Sequence, residues 1–442
     1  MITAKAFAGK HYAVYGLARS GVATVEALLA SGARVTAWDG KEEARAHFSS
    51  PRFRGEGDHA QHGGGVLDLD TADLRQFDSL VVTPGLPLNR HPIAARAREA
   101  NLEIIGDIEL FARARPELPP HKVVGITGTN GKSTTTALVH HILRTAGVPT
   151  TMGGNIGLPI LTQDPLPEGG VYVLELSSYQ IDLTQTLDCD VAVLLNITPD
   201  HLDRYESFQD YRASKRRLFL IQSQEHLALL SERDREADEV SYELEHEFDR
   251  WRNVRMFNGG TVRGQSRWQA LQGPHNAENV AAATAVCRAL GVFEEVLEAA
   301  LRTFPGLPHR MERIRDLAGV TFVNDSKATN PTATAPALAA FDSIRWIAGG
   351  QAKTDTLDEC APHFANVRAA YTIGDAASLF RELLQPHMPV HECNTLENAV
   401  NRAAADSLPG DVVLLSPACA SFDQFRDFEE RGERFAALVG AL

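Results

Sequence analysis

The sequence predicts an α/β protein in which three units follow one another along the chain. Its 442 residues are enough for about three domains. Short apolar runs alternate with helical patterns over most of the chain, and this alternation is typical of parallel sheets covered by helices. Proline-containing segments at 116–120 and 305–308 interrupt the alternation and suggest domain boundaries.

The first unit is expected to span residues 1–108 and to form a Rossmann-like domain. A helical pattern begins at Ser20, directly after the first apolar run, so the unit opens with a strand and then a helix. A boundary within 116–120 is equally compatible with the pattern. The apolar runs that predict its strands are Tyr12–Tyr15, Arg34–Trp38, Ser79–Val82 and Leu102–Ile105.

The second and third units repeat this alternation. We expect the second unit at 109–305, with a long alanine-rich helix at about 276–290. We expect the third unit at 306–442, again as a Rossmann-like domain. The runs that predict buried strands are Val171–Leu176 and Val191–Ile197 in the second unit, and Val320–Val323, Ile344–Ile347, Ala369–Ile373 and Val412–Leu415 in the third.

Composition excludes several classes of protein. The formal net charge of −14 argues against a general nucleic-acid binder, which needs a broad basic face. No apolar stretch approaches the roughly 18 residues that cross a bilayer, so no membrane insertion is expected. The five cysteines are scattered and include no Cys-x-x-Cys pair, which fits a reducing cytoplasm.

The most informative segment is the glycine-rich turn at 125–134, Gly-Ile-Thr-Gly-Thr-Asn-Gly-Lys-Ser-Thr. Its glycines let backbone N–H groups converge on phosphate oxygens, and the N-terminus of the following helix adds positive charge. Lys132 can reach terminal phosphates, and Ser133 or Thr134 can bind Mg²⁺. The strict phosphate-loop spacing is missed by one residue, because Ile126 stands where the first glycine belongs. We predict an ATP-binding central domain of the phosphate-loop type, the alternative being a simple glycine-rich turn.

A second strand-to-helix turn lies at 16–21 in the first unit. Ala18 stands where a dinucleotide fingerprint has its central glycine, which disfavours NAD or FAD but leaves a looser diphosphate contact open. Asp39 follows the second predicted strand and could accept a hydrogen bond from a ribose or a base. A plain helix cap at the sheet edge is the alternative interpretation of these residues.

Carboxylates and an imidazole follow two buried runs of the central unit. Glu175 ends the first run and would face the phosphate loop across the edge of a parallel sheet, where it could bind Mg²⁺. His201 follows the second run among other candidate metal ligands. Lys215 lies in Lys-Arg-Arg, which by itself indicates an exposed helix face.

Taken together, separated segments of the chain resemble the ATP-dependent Mur ligases, which join amino acids to the peptidoglycan precursor in cell-wall synthesis. The segments 324–330 and 416–425 further resemble the members that add D-glutamate. The other segments are Gly-Thr-Asn-Gly-Lys-Ser at 128–133, Glu-Leu-Ser-Ser-Tyr-Gln at 175–180, Asn-Ile-Thr-Pro-Asp-His-Leu-Asp-Arg at 196–204, His-Asn-Ala-Glu-Asn at 275–279 and Pro-His-Arg at 308–310.

The resemblance implies that ATP phosphorylates the carboxylate of UDP-N-acetylmuramoyl-L-alanine and that the amine of D-glutamate then attacks the acyl phosphate through a tetrahedral intermediate. Lys132, Glu175, His201 and Lys215 would be catalytic. Ser133 and Glu175 would bind a first Mg²⁺ and His201 a second, assisted by Lys215 if that lysine is carbamylated by CO₂.

The resemblance also implies three sets of binding residues, and we expect a monomer. ATP would contact Gly128, Thr129, Asn130, Gly131, Lys132, Ser133, Thr134, Asn279, Arg310 and Asp325. D-Glutamate would contact Lys327, Thr329, Lys353, Ser421 and Phe428, although Lys327 and Lys353 taken singly indicate surface lysines. The UDP-sugar would contact Leu17, Ala18, Arg19, Ser20, Asp39, Lys41, Thr83 and Asn155, with the backbone at 84–85.

Two alternatives remain. A folylpolyglutamate synthase also has a Gly-Thr-Asn-Gly-Lys loop, but it would lack the UDP-binding first unit. A regulatory module that hydrolyses ATP without ligation would need only Lys132 and Glu175. The more than 100 residues before the ATP loop favour the Mur ligase interpretation.

Overall fold

A computed structural model describes residues 1–48, 65–200, 204–246 and 253–442. The chain divides into two compact units, which are distinct from the three predicted ones. The first unit of the structure comprises residues 1–261 and 278–300, and the second comprises residues 262–277 and 301–442. Three sheets, of five, six and six strands, account for the described strands, and their strands are parallel apart from one edge strand. The α/β class is therefore confirmed. The three-domain layout is consistent with the three separate sheets. This layout and the boundaries at 108 and 305 stay predictions.

The first unit begins with a five-stranded parallel sheet of order β3-β2-β1-β4-β5. The strand order reverses between β1 and β4. In open α/β sheets, ligands bind in the crevice that such a reversal creates at the carboxyl ends of the strands. Its strands are β1 (His11–Tyr15), β2 (Arg34–Trp38), β3 (Gly65–Val66), β4 (Ser79–Val82) and β5 (Ile104–Ile105). Its helices are α1 (Arg19–Ala30), α2 (Glu42–Phe48), α3 (Pro92–Glu99) and α4 (Asp107–Ala114).

The second sheet of this unit is six-stranded and parallel, in the order β11-β10-β9-β6-β8-β7. Its central strands are buried on both faces, which explains their continuous apolar sequences. The strands are β6 (His121–Thr127), β7 (Thr150–Gly154), β8 (Gly170–Glu175), β9 (Val191–Leu194), β10 (Leu227–Ser231) and β11 (Val254–Phe257). The helices are α5 (Lys132–Thr145), α6 (Ser178–Asp182), α7 (Phe208–Leu220), α8 (Arg235–His246) and the larger parts of α9 (Pro274–Ala289) and α10 (Glu294–Thr303).

The second unit contains a six-stranded sheet of order β12-β13-β17-β14-β15-β16, in which only the pairing of β12 with β13 is antiparallel among the described strands. Its strands are β12 (Glu312–Leu317), β13 (Val320–Asn324), β14 (Ile344–Gly349), β15 (Val367–Ile373), β16 (Val390–Asn394) and β17 (Val412–Leu415). Its helices are α11 (Pro331–Leu338), α12 (Ala377–Leu384), α13 (Leu396–Asp406) and α14 (Phe428–Ala441). Of the helices described in either unit, none has the length and apolar character that crossing a membrane requires.

Candidate active site

The glycine-rich turn joins β6 to α5, as its sequence predicts. Gly128 and Gly131 have φ angles of +153° and +84°, in the region that favours glycine. A Cβ atom at Gly131 would lie 2.3 Å from Oδ1 of Asn279, so a side chain there would meet both backbone strain and a close contact. The turn therefore keeps a conformation that larger residues cannot adopt without rearrangement.

Asn196 holds the outer part of this turn. Its Oδ1 accepts hydrogen bonds from the N–H groups of Thr129 at 3.1 Å and Asn130 at 2.8 Å, while its amide donates to the Asn130 oxygen at 3.1 Å. The Lys132 ammonium group bends back and donates to the carbonyl oxygens of Gly128 and Thr129, each at 2.8 Å. A cation at the centre of the loop is the arrangement that a polyphosphate requires.

The predicted Mg²⁺ and adenine residues border the same turn. Ser133 is buried in the first turn of α5, and Thr134 beside it is partly exposed. Asn279 is buried on α9, and its Oδ1 accepts a hydrogen bond from the Thr135 hydroxyl at 3.2 Å. Asn279 therefore lies against the phosphate loop, while its contact with adenine stays a prediction.

Glu175 ends β8 next to the phosphate loop. The parallel register pairs Glu175 with Ile126, two positions before Gly128. Glu175 is only 2% exposed to solvent. Its Oε1 accepts a hydrogen bond from the Asn155 amide at 3.1 Å, whereas its Oε2 is buried and has no hydrogen-bond partner among the described residues. A buried carboxylate oxygen without a donor is costly, and it fits a position that a cation would satisfy.

Lys215 is almost fully buried, at 1% exposure, which contradicts the exposed helix face that its local sequence indicates. Its ammonium group donates to the Gly128 oxygen at 2.8 Å and lies 4.6 Å from the centre of the Tyr211 ring. Burial, together with the charge of Lys132, holds the pKa of Lys215 well below its ordinary value. The error arose because burial of this side chain comes from the packing of α7 against a loop 87 residues away.

His201 lies outside the described residues, as do the two residues that follow it. Its assignment to a second metal ion therefore stays a prediction.

Most of the predicted UDP-sugar residues lie on the loops that follow β1, β2 and β4 of the first sheet. A Cβ atom at Gly16, whose φ is +98°, would lie 2.2 Å from the Thr83 hydroxyl, so the loops after the two strands are closely packed. Asp39 accepts hydrogen bonds from the N–H groups of Leu17 at 2.7 Å and Lys41 at 2.8 Å. Its carboxylate thus organises the loop backbone, while its contact with a ribose or a base stays a prediction.

The remaining UDP-sugar residues link this crevice to the loop after β7. Arg19 donates from NH2 to the Gly157 oxygen at 3.1 Å, whereas Ala18 and Ser20 flank it at the start of α1. Asn155, predicted to face the sugar, directs its amide to Glu175. The structure therefore connects the expected sugar residue directly with the expected metal ligand.

In the second unit, Asp325 organises the loop that carries Arg310. Its two carboxylate oxygens accept hydrogen bonds from the Met311 N–H at 3.1 Å and the Ser416 hydroxyl at 2.8 Å. His309 and Met311, on either side of Arg310, have φ angles of +61° and +48°. Burial raises the pKa of Asp325 to about 7. The buried carboxyl group of Asp325 therefore holds the strained backbone at Met311, next to Arg310.

The predicted D-glutamate residues form two contacts. The Lys327 ammonium group lies 3.7 Å from the centre of the Phe428 ring, and that of Lys353 lies 3.5 Å from the Thr329 hydroxyl. Ser421 is buried at the end of an antiparallel bridge between residues 351 and 420. Cations and hydroxyl groups of this kind suit a substrate with two carboxylates.

Comparisons with known proteins find relatives along the whole chain. Curated relatives called UDP-N-acetylmuramoylalanine–D-glutamate ligase occur in Novosphingobium aromaticivorans, at 57% identity over 100% of this chain and 97% of the relative, and in Sphingopyxis alaskensis, at 56% identity over 100% of both chains. The chain belongs to the Mur ligase family. The family described as Mur ligase middle domain matches residues 126–287 of this Mur ligase, and that described as Mur ligase, glutamate ligase domain, matches residues 309–419.

Solved structures of the family share the fold of this Mur ligase. The UDP-N-acetylmuramate-alanine ligase of Thermotoga maritima covers 98% of this chain with 99% of its own, at a TM-score of 0.59 and 16% identity. At that identity, the likeness concerns the fold.

Three residues of this Mur ligase that had no predicted role organise the predicted ones. Asn196 shapes the phosphate loop, and the Tyr211 hydroxyl lies 3.0 Å from the Thr129 hydroxyl. Arg431, buried in α14, donates to the oxygens of Ser326, Cys419 and Ala420, which adjoin Lys327 and Ser421. Burial lowers its pKa to about 10. Helical spacing gave a signal for two of them, since Tyr211 precedes Lys215 by four residues and Arg431 follows Phe428 by three.

Proposed function

We propose that this Mur ligase joins D-glutamate to UDP-N-acetylmuramoyl-L-alanine, with conversion of ATP to ADP and phosphate. The observation that carries the proposal is the convergence of Lys132, Lys215 and Glu175 on the phosphate loop. The full-length similarity to relatives named for this reaction supports the choice of substrates over those of a folylpolyglutamate synthase. A regulatory ATPase would not require the residues of the second unit that match the glutamate ligase domain.

The chemistry must bring two anions together. The L-alanine carboxylate attacks the γ-phosphorus of ATP, the bond to the bridging oxygen breaks, and ADP leaves with its electron pair. The D-glutamate ammonium group first loses a proton, and the resulting amine attacks the carbonyl carbon of the acyl phosphate. The nitrogen gives up a second proton as the C–N bond forms, and phosphate departs from the tetrahedral intermediate with the electron pair of the broken C–O bond. Because negative charge collects on oxygen in each step, fixed cations at the phosphate loop stabilise the transition states. Lys132 is suited to this role, because it already lies within the loop.

Mg²⁺ would be held by Ser133 and Glu175. The buried Oε2 of Glu175 fits a cation, and Ser133 occupies the helix position where phosphate loops bind the metal. When bound at this position, Mg²⁺ would neutralise negative charge on the phosphate oxygens. We also expect His201 to bind a second Mg²⁺ and the protein to be a monomer.

Lys215 would act as a carbamate. A neutral amine attacks CO₂, a bond forms between Nζ and carbon, and the released proton leaves an anionic carbamate. Its burial beside Lys132 favours the neutral amine, because two ammonium groups at one oxygen repel each other. The carbamate would replace this repulsion by attraction to Lys132 and offer oxygen ligands to a metal.

The binding residues complete the proposal. ATP would use residues 128–134 with Asn279, Arg310 and Asp325, and the planar Arg310 group suits phosphate oxygens. D-Glutamate would use Lys327, Thr329, Lys353, Ser421 and Phe428. The UDP-sugar would use residues 17–20, Asp39, Lys41, Thr83 and Asn155.

Phosphate release by the purified protein tests the function. We expect release that requires ATP, Mg²⁺, UDP-N-acetylmuramoyl-L-alanine and D-glutamate together, with L-glutamate, alanine or lysine giving little. Mass spectrometry should find the condensed product. Hydrolysis that is independent of both acceptor substrates would instead favour the regulatory ATPase.

A further inference from the structure

Arg204 holds a loop of the first sheet, and it lies on the segment that follows β9 of the second sheet. Its NH1 donates to the Gly85 oxygen at 3.1 Å, and its NH2 donates to the oxygens of Pro84 at 3.2 Å and Leu86 at 2.8 Å. Three consecutive carbonyl groups thus point at one guanidinium group. The loop follows β4, at the edge of the crevice between β1 and β4.

The contacts fix which way the amides of this loop point. A hydrogen bond from the Leu86 N–H to the Thr83 oxygen at 3.0 Å closes the turn. In a trans peptide, the C=O and N–H bonds point in opposite directions. Since the Pro84 oxygen faces Arg204, the Gly85 N–H faces away from the cation. Pro84 has no N–H of its own, so Gly85 supplies the donor at the tip of the turn.

One face of the planar Arg204 guanidinium group rests on an aromatic side chain. Its guanidinium carbon lies 4.3 Å from the centre of the Tyr179 ring, and that ring is stacked on Tyr205 at 6.0 Å. Tyr179 lies on α6, four residues after Glu175. Arg204 therefore joins the crevice loop to the helix that follows the predicted metal ligand, with both a stacking contact and a fork of hydrogen bonds that only arginine offers together.

We propose that Arg204 is a positioning residue for the sugar-nucleotide substrate, a role that rests on the proposed function. It holds the turn 84–86 so that the Gly85 N–H is presented to the anionic diphosphate or sugar end of the ligand. It also keeps this turn at a fixed distance from the segment after Glu175. Because the guanidinium group is engaged by three backbone oxygens and the Tyr179 ring, its loss should weaken binding of one substrate and leave the phosphate-transfer residues intact.

Steady-state kinetics of the full-length Arg204→Gln and Arg204→Lys variants test the role. We expect the KM for UDP-N-acetylmuramoyl-L-alanine to rise about 10-fold or more, as loss of charged hydrogen bonds predicts, while the KM values for ATP and D-glutamate hold. Lysine should not restore the wild-type KM. Its ammonium group has no planar face to stack on the Tyr179 ring and cannot at the same time donate to all three oxygens. Tyr179→Leu should shift the same KM in the same direction. Arg235→Gln, in an exposed ion pair on α8, is the matched control and should match the wild type.

The outcomes separate the two proposals. An unchanged KM for the sugar nucleotide in both Arg204 variants, with active wild type, overturns the role of Arg204. Equal increases in all three KM values, with a lower Tm, also overturn it, because they show a general structural role. If the wild type releases no phosphate, the proposed function fails, and calorimetric binding of UDP-N-acetylmuramoyl-L-alanine to wild type and Arg204→Gln then decides the role, equal Kd values counting against it.

Discussion

The ammonium groups of Lys132 and Lys215 donate to the same atom, the carbonyl oxygen of Gly128, each at 2.8 Å. One lysine comes from the phosphate loop and the other from α7. Two cations at one oxygen in a buried site repel each other, so the arrangement favours a neutral amine at the more deeply buried Lys215. Conversion of Lys215 to a negatively charged carbamate would remove that repulsion.

Lys215→Ala should therefore abolish most turnover, and short carboxylic acids added to the variant should restore part of it. The small acid would occupy the space of the lost side chain and return a carboxylate to the site. Initial rates with and without acetate or propionate measure the effect. Lys122→Ala, at an exposed lysine on β6, is the control. It should keep wild-type turnover, and the added acid should not alter its rate. Normal activity of Lys215→Ala would contradict the role.

Glu175→Gln should raise the Mg²⁺ concentration needed for half-maximal activity and lower kcat by about 100-fold or more, the scale on which lost transition-state charge stabilisation acts. The amide keeps the shape of the side chain and its contact with Asn155, but it removes the negative charge from Oε2. Phosphate release over a series of Mg²⁺ concentrations gives both values. Glu168→Gln, at an exposed position before β8, should resemble the wild type. An unaltered Mg²⁺ requirement in Glu175→Gln would exclude this residue as a ligand.

The position of Glu175 could be predicted from the sequence, because the end of a buried parallel strand lies at a known edge of the sheet. The burial of Lys215 could not, since the local Lys-Arg-Arg pattern reports only on the helix itself. Asp39 shows the same limit: its place after β2 was clear, but not its two bonds to loop amides. Local sequence indicates where a side chain starts, whereas its partners depend on chain segments that folding brings together.

Asp325 should make stability fall as the pH rises from about 4 to 7. Burial raises its pKa in the folded protein to about 7, so across this range the folded state binds a proton that the unfolded state has released. The stabilisation is complete below about pH 3.9, the pKa of an aspartic acid in the unfolded chain, and it is lost as the pH rises through about 7. Asp325→Asn keeps a neutral group, so its Tm relative to the wild type should increase over this interval and level off above it. A Tm difference that does not change with pH would argue against a raised pKa.

Gly131→Ala should weaken ATP binding far more than Gly147→Ala, although the two glycines have similar φ angles of +84° and +74°. Any L-residue in this region costs about 1–2 kcal/mol, and that cost is common to both variants. A Cβ atom at 131 would also lie 2.3 Å from Oδ1 of Asn279, whereas nothing lies within 4 Å of one at 147. The clash would push the phosphate loop away from α9 and misdirect its amides. Calorimetry with a non-hydrolysable ATP analogue should therefore show a large rise in Kd for Gly131→Ala and wild-type binding for Gly147→Ala, with a similar loss of stability from strain in each. Equal affinities in the two variants would mean that contact with Asn279 does not set the shape of the loop.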